Sequence, residues 1–113
     1  MQVAVIGSRG FDDYELVSKT LSNIDITLLI SGGAKGADSL GERYANENKI
    51  ETLIFKPDWE KHGKAAGMIR NTDIVDNAEF IVAFWDGNSK GTKDSITKSE
   101  KLNKKILVVN INN

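Results

Sequence analysis

Apolar residues fall along the chain in five short runs, Val3 to Ile6, Ile26 to Ile30, Leu53 to Phe55, Phe80 to Trp85 and Ile106 to Val109. The runs are rich in β-branched and aromatic side chains and mostly continuous rather than alternating, which predicts strands covered on both faces, as in a parallel sheet. Segments of helical length separate them. Tyr14, Val17 and Leu21 form a stripe that Asp12 or Asp13 can cap. Ala37, Leu40, Gly41, Tyr44 and Ala45 recur at helical spacing, with Glu42, Arg43, Asn46 and Glu47 on the opposite face. A third helix over Ala65 to Asn77 and a fourth over Thr92 to Leu102 complete a strict alternation of strand and helix. The pattern predicts one three-layer α/β/α domain over residues 1–113, built on a five-stranded parallel sheet.

With the strands in place, the glycines gain a position. Gly7-Ser8-Arg9-Gly10 follows the first strand, Ser31-Gly32-Gly33-Ala34-Lys35-Gly36 the second, and Asp86 to Gly91 the fourth. All three loops lie at the carboxyl edge of the sheet, where open α/β folds bind ligands. Gly41 stands apart, within a helix, where it lets that helix approach the sheet closely.

A glycine-rich turn that enters a helix leaves backbone N–H groups unpaired, and the helix dipole adds partial positive charge at the same place. GGAKGAD and GNSKGT both have this form, each with a lysine (Lys35, Lys90) beside the turn and a hydroxyl or Asp at the helix start. Either loop alone reads first as a tight turn; two at one edge favour a cradle for phosphate. Gly7, Ser8, Gly32, Gly33, Ala34, Gly36, Gly87, Ser89, Gly91 and Thr92 are the backbone and hydroxyl candidates. Arg9 and Arg70 are candidate forks for phosphate oxygens, with Asn71 beside Arg70. Asp38 and Asp86 suit ribose hydroxyls, Trp85 can flank a base, and Trp59 lies in a candidate lid. Asp94 reads equally well as a first-turn residue complementing the dipole, and His62 as a surface loop residue.

Composition narrows the partners. Lys and Arg number 15 against 16 Asp and Glu, a formal charge of −1, so no overall field attracts polyanions and any basic site is local. The absence of Cys excludes disulfides, thiolate metal sites and a Cys nucleophile, and a single His makes a His-based metal site improbable. No signal peptide or membrane span is visible, so a cytoplasmic protein is expected. GSRGF is not GxGxxG and no GxxxxGK[ST] occurs, which disfavours classical dinucleotide dehydrogenases and P-loop enzymes.

GSRGF, SGGAKGADSLGERYA, PDWEKHGKAAGMIRN and FWDGNSKGT, in this order, resemble the YspA-type, cpYpsA-related family of the SLOG superfamily. The resemblance implies a Rossmann-like sheet of order 3-2-1-4-5, with the cleft between the first and fourth strands as ligand site, and a nucleotide or nucleotide-derived ligand. Within the superfamily, the LOG enzymes cleave nucleoside monophosphates with a Met-His-x-Arg-Lys stretch and a Pro-Gly-Gly-x-Gly-Thr-x-x-Glu loop. Met68-Ile69-Arg70-Asn71 is similar to the first and Gly91-Thr92 to the Gly-Thr of the second. The position of the catalytic Glu holds Ser95, with Asp94 one residue early. Asp86, Asp94 and Arg70 are thus the catalytic candidates of an alternative reading, a nucleoside-phosphate N-glycosidase. Ser31 to Asp38 resembles the Ser-Gly-x-Ala-x-Gly-Ile-Asp motif of the DNA-processing DprA branch, yet the near-neutral charge and the lack of an aromatic-basic stripe make nucleic acid an unlikely partner.

Taken together, the expectation is a binder of an ADP-ribose-like, cyclic or mononucleotide ligand, acting as sensor or sequestering protein without a cofactor. The segment PDWEKHGKAAGMIRN is long for a strand-to-helix connection, which makes it a lid or a subunit contact. Ala65, Ala66 and Gly67 permit close helix approach, and the resembled LOG enzymes complete their sites across a dimer, so a homodimer or higher even oligomer is expected.

Overall fold

The computed structural model describes residues 1–111. Each apolar run becomes, or closely overlaps, one strand of a single parallel sheet: β1 (Gln2–Gly7), β2 (Leu28–Ser31), β3 (Glu51–Ile54), β4 (Phe80–Trp85) and β5 (Lys105–Asn110). The helices are α1 (Tyr14–Leu21), α2 (Ala37–Glu47), α3 (Trp59–His62), α4 (Ala66–Asn77) and α5 (Lys90–Lys101). Asp13 is the cap of α1, its Oδ1 accepting the Leu16 N–H at 3.1 Å. Ser89 caps α5 through the Thr92 N–H, which starts that helix at Lys90, earlier than the spacing predicts. The long connection after β3 is itself structured, as α3 followed by a 3₁₀ turn over Gly63–Ala65.

The strand order is β3-β2-β1-β4-β5. β1 is therefore central, with Ala4 beside Ile30 on one flank and Ile81 on the other. Chain leaving β1 crosses toward β2, whereas chain leaving β4 crosses toward β5. The two connections diverge and open a crevice between the carboxyl ends of β1 and β4, the topological switch point.

Two cores fill the layers. Val3, Val5, Leu29, Val82 and Phe84 meet Val17, Leu21, Tyr44 and Ala45 of α1 and α2 on one face. Ala4, Ile6, Ile30, Ile81 and Ala83 meet Ile74 of α4 and Ile96 of α5 on the other. This two-sided burial is why the central strands read as continuous apolar runs. The edge strands depart from that expectation: Leu53 and Ile54 of β3 are 36% and 38% exposed and Leu107 of β5 is 41% exposed. The helices converge on the middle of the sheet, so the outermost strands keep part of their apolar surface open. Among the described residues, no helix is long and apolar enough to cross a membrane.

The closeness of α2 to the sheet depends on Gly41, where an added Cβ would lie 2.9 Å from Val5 Cβ. Val5 is fully buried in the central strand and cannot withdraw. Gly41→Val should therefore lower the unfolding free energy by about 3 kcal/mol through overpacking, read as a lower urea midpoint at unchanged m-value.

Candidate functional site

The three glycine-rich loops meet at one residue. Ser8, buried at the end of β1, donates its N–H to Phe84 O of β4 at 3.0 Å and accepts the Phe11 and Ala37 N–H groups on its carbonyl at 3.3 and 3.2 Å. Its Oγ accepts the Asp86 N–H at 3.2 Å. The loops after β1, β2 and β4 are thereby locked to each other through the backbone and hydroxyl of Ser8. Gly36, the cap residue of α2, has φ 79° and sits so close that a Cβ there would lie 2.3 Å from Ser8 O. A side chain at Gly36 would pull the loops apart, whereas one at Gly91 meets nothing within 4 Å.

The locked loops enclose a cavity of about 480 Å³ over the switch point, within the usual range for small-ligand sites. Gly7, Ser8 and Arg9 line it from β1, Ala34 and Asp38 from the second loop and α2, Arg70 and Asn71 from α4, and Asp86, Ser89, Gly91 and Thr92 from the fourth-strand loop and α5. Residues from both ends of the chain, Gly7 and Thr92 among them, are thus brought to one place. Gly32, Gly33, Lys35, Gly36, Gly87 and Lys90 shape or flank the loops without lining the cavity, and Trp59 and Trp85 lie off it. Trp59 is 57% exposed on α3. Trp85 donates its Nε1–H to Ser89 O at 3.1 Å, so the indole braces the turn into α5.

Two helices present their N-termini here. In α2, Ala37 N–H goes to Ser8 O and Leu40 N–H to Gly36 O, leaving the Asp38 and Ser39 amides without an intramolecular partner among the described residues. In α5, Ser89 satisfies the Thr92 and Lys93 amides, and those of Lys90 and Gly91 are left in the same way. Such orphan N–H groups at the positive end of a helix form an anion site.

The charged side chains are largely engaged with the frame. Asp38 is only 7% exposed, and its Oδ2 accepts the Gly32 and Ala34 N–H groups, both at 3.2 Å. Burial pushes its carboxyl up to about 6, although those two bonds and the Arg70 guanidinium act in the opposite direction. Arg70 donates from Nη1 to Gly32 O at 2.7 Å and from Nε to Asn71 Oδ1 at 3.0 Å, which ties α4 to the second loop. Desolvation lowers its pKa, with Arg9 adding to the effect and Asp38 opposing it. Its Nη2 donors remain for a ligand. Asp86 Oδ1 accepts the Asn88 and Ser89 N–H groups at 2.8 and 2.9 Å, and these bonds hold its pKa down.

Asp94 does not line the cavity; its Oδ2 takes Asn71 Nδ2 at 3.2 Å and Lys98 Nζ at 2.8 Å. Its neighbour Ser95 lines the cavity instead, together with Ile6, Gly10 and Ile74. Of these, Ile74 was findable by spacing, since it lies one helical turn after Arg70 on the same face. Ile6, at the end of the first apolar run, carries no signal distinguishing it from core.

Comparison with known proteins agrees with this geometry. The model of the YspA, cpYpsA-related SLOG family matches residues 1–62, which hold the first two glycine loops. Gene 61 protein of Mycobacterium phage D29 is 32% identical over 111 residues, covering 88% of this chain and 89% of the phage protein. The X-ray structure of DNA processing protein A (DprA) from Streptococcus pneumoniae shares the fold, with a TM-score of 0.80 over 95% of this chain at 17% identity. The chain spans about half of that protein, 49% of its length.

Asp38 makes the site sensitive to pH. Its carboxyl is raised in the folded state from 3.8 to about 6, so the stabilisation is complete below the unfolded value and is lost as pH rises through the folded one. The loss amounts to roughly 3 kcal/mol. Asp38→Asn removes the titration, so the stability of wild type relative to this variant should fall by that order between about pH 4 and pH 7. Urea denaturation across the range measures it, and a difference independent of pH would refute the assignment.

Proposed function

Because the chain belongs to the YspA, cpYpsA-related SLOG family, we propose that residues 1–113 act as a single domain binding a nucleotide or nucleotide-derived ligand, ADP-ribose-like, cyclic or mononucleotide, as a sensor or sequestering protein. The observation that carries this reading is the convergence of the α2 and α5 N-termini on one cavity at the switch point. Arg9 and Arg70 stand there against Asp38 and Asp86, so the attraction for phosphate comes from oriented amides rather than from an excess of side-chain charge. That balance, and a chain charge of −1, favour a small ligand over a polynucleotide. The lack of Cys accords with a reducing, cytoplasmic setting.

Binding is favoured over N-glycosidic cleavage. Cleavage develops positive charge on the ribosyl group, which a carboxylate beside it must stabilise or serve by activating water. Asp38 and Asp86 are held by loop amides, and Asp94 by Asn71 and Lys98.

A surface beside the cavity supports self-association. Trp59, Met68 and Ile69 are 57%, 58% and 37% exposed on α3 and α4, and the Trp59 ring lies against Gly67, where an added Cβ would meet it at 3.8 Å. Leu53 and Ile54 of the edge strand are also partly exposed. A two-fold dimer or higher even oligomer through α3 and α4 would cover the apolar groups on these helices.

Three measurements bear on these readings. AMP, ADP-ribose, NAD or a cyclic nucleotide should raise the melting temperature, by an amount equivalent to about 2.7 kcal/mol at a hundredfold excess over Kd; no shift with any of them would end the proposal. Arg70→Ala and Gly91→Val should both reduce the shift, and wild type should release no free base from a nucleoside monophosphate. Turnover abolished by Asp86→Asn would instead establish an enzyme. In light scattering, wild type should exceed the monomer mass and Trp59→Ala should move toward it; a monomeric wild type at high concentration would exclude the dimer.

A further inference from the structure

Three hydroxyls within the helices of this chain donate to the carbonyl one turn earlier. Thr20 Oγ1 donates to Leu16 O at 2.8 Å, Thr72 Oγ1 to Met68 O at 3.1 Å and Ser99 Oγ to Ser95 O at 2.7 Å. Ser95 has no such bond. Its corresponding acceptor is the Gly91 carbonyl, and that oxygen takes the Asn71 Nδ2 amide at 3.3 Å. Ser95 is 2% exposed and lines the cavity, yet its side chain makes no hydrogen bond among the described residues. Among those residues no side-chain polar atom sealed from solvent lacks a partner. The Ser95 hydroxyl is therefore not sealed; what it opens on is the cavity.

Its surroundings limit what it can meet. Ile6 and Ile74 line the cavity with it, and the Asn71 side chain is engaged by Gly91 O, Asp94 and Arg70. The hydroxyl and the two isoleucines carry no charge of their own, the cations of the cavity being Arg9 and Arg70, and a nucleobase edge with several polar atoms would leave most of them unpaired against these three side chains. Of the two residues with orphan amides at the start of α5, Gly91 lines the cavity and Lys90 flanks it, and Ser95 stands about 6 Å further along α5 than Gly91. A ligand whose phosphate rests on those amides would extend its next chemical group toward Ser95.

We propose that Ser95, with Ile6 and Ile74, forms a second, uncharged subsite that takes a hydroxyl of the pentose attached to the phosphate, and that Ser95 determines specificity for it. The inference rests on the anion site proposed above. It gives the serine at this position a binding role of its own. A hydroxyl both donates and accepts, so it matches a sugar hydroxyl without a charge to neutralise.

The test compares ribose 5-phosphate with inorganic phosphate by titration calorimetry on the full chain. Wild type should bind ribose 5-phosphate more tightly, and in Ser95→Ala the ratio of the two affinities should fall about tenfold, the effect of one neutral hydrogen bond. The free variant should melt no lower than wild type, because the deleted hydroxyl has no internal partner; this curve is the fold control. An unchanged ratio overturns the inference, whether both affinities hold or both fall together, and so does a marked drop in the variant's own melting temperature. Wild type that binds neither probe overturns the anion site itself, a result distinct from selective failure of the pentose subsite.

Discussion

The arrangement of loops at the carboxyl edge of this sheet depends on the hydrogen bonds of Ser8. One residue joins β4 through its N–H, α2 through its carbonyl and the fourth-strand loop through its hydroxyl. Loops are the parts of a fold most free to move, and a ligand site assembled from several of them loses affinity to the entropy of ordering them. Here hydrogen bonds between buried groups do that ordering before any ligand arrives. Gly36 is the complement of Ser8, since only a residue without a side chain lets the second loop close to this distance.

Upon that frame the charges act as braces. Arg70 reaches from α4 to the Gly32 carbonyl, and Asp38 reaches back to the Gly32 and Ala34 amides, so the second loop is gripped from both sides. Burying Asp38 is costly, as its raised pKa shows, and the cost is tolerated because the carboxylate satisfies two amides that would otherwise be orphans. Among the residues whose amides are left over at the starts of α2 and α5, Asp38 and Gly91 line the cavity. Oriented amides of this kind act over a short range, which fits a chain without net positive charge.

The helices explain both the cavity and the exposed edge. To cover the central strands and form the crevice, α4 and α5 pack on β1, β2, β4 and β5, while β3 is contacted chiefly by α2. Leu53 and Ile54 are left partly in water by this arrangement, as is Leu107 at the other edge. Short edge strands limit the hazard of sheet-to-sheet pairing, and β3 has only 4 residues.

By itself the sequence determined the alternation of strands and helices, the parallel sheet and the gathering of glycine loops at one edge. These follow from periodicities of a few residues and from turn chemistry, which act locally and leave a local trace. Its motif likeness extended this to the strand order and the family, and the loops that form the cavity were legible as candidates. What the tertiary structure decided was the work each side chain does. Asp38 and Asp86 read as free carboxylates and Arg70 as a free fork, but each is bonded to backbone, Asp86 to its own turn and Arg70 to Gly32, 38 positions away. Trp85 reads as a base platform, and its Nε1–H holds a turn, a role no pattern signals. The sharpest case is Asp94 and Ser95, neighbours in sequence but about 100° apart around the helix. That rotation, fixed by packing α5 on the sheet and on α4, turns the carboxylate to Asn71 and Lys98 and the hydroxyl to the cavity. Which of two adjacent polar residues faces a ligand depends on partners 20 or more positions away, and a linear pattern carries no record of them.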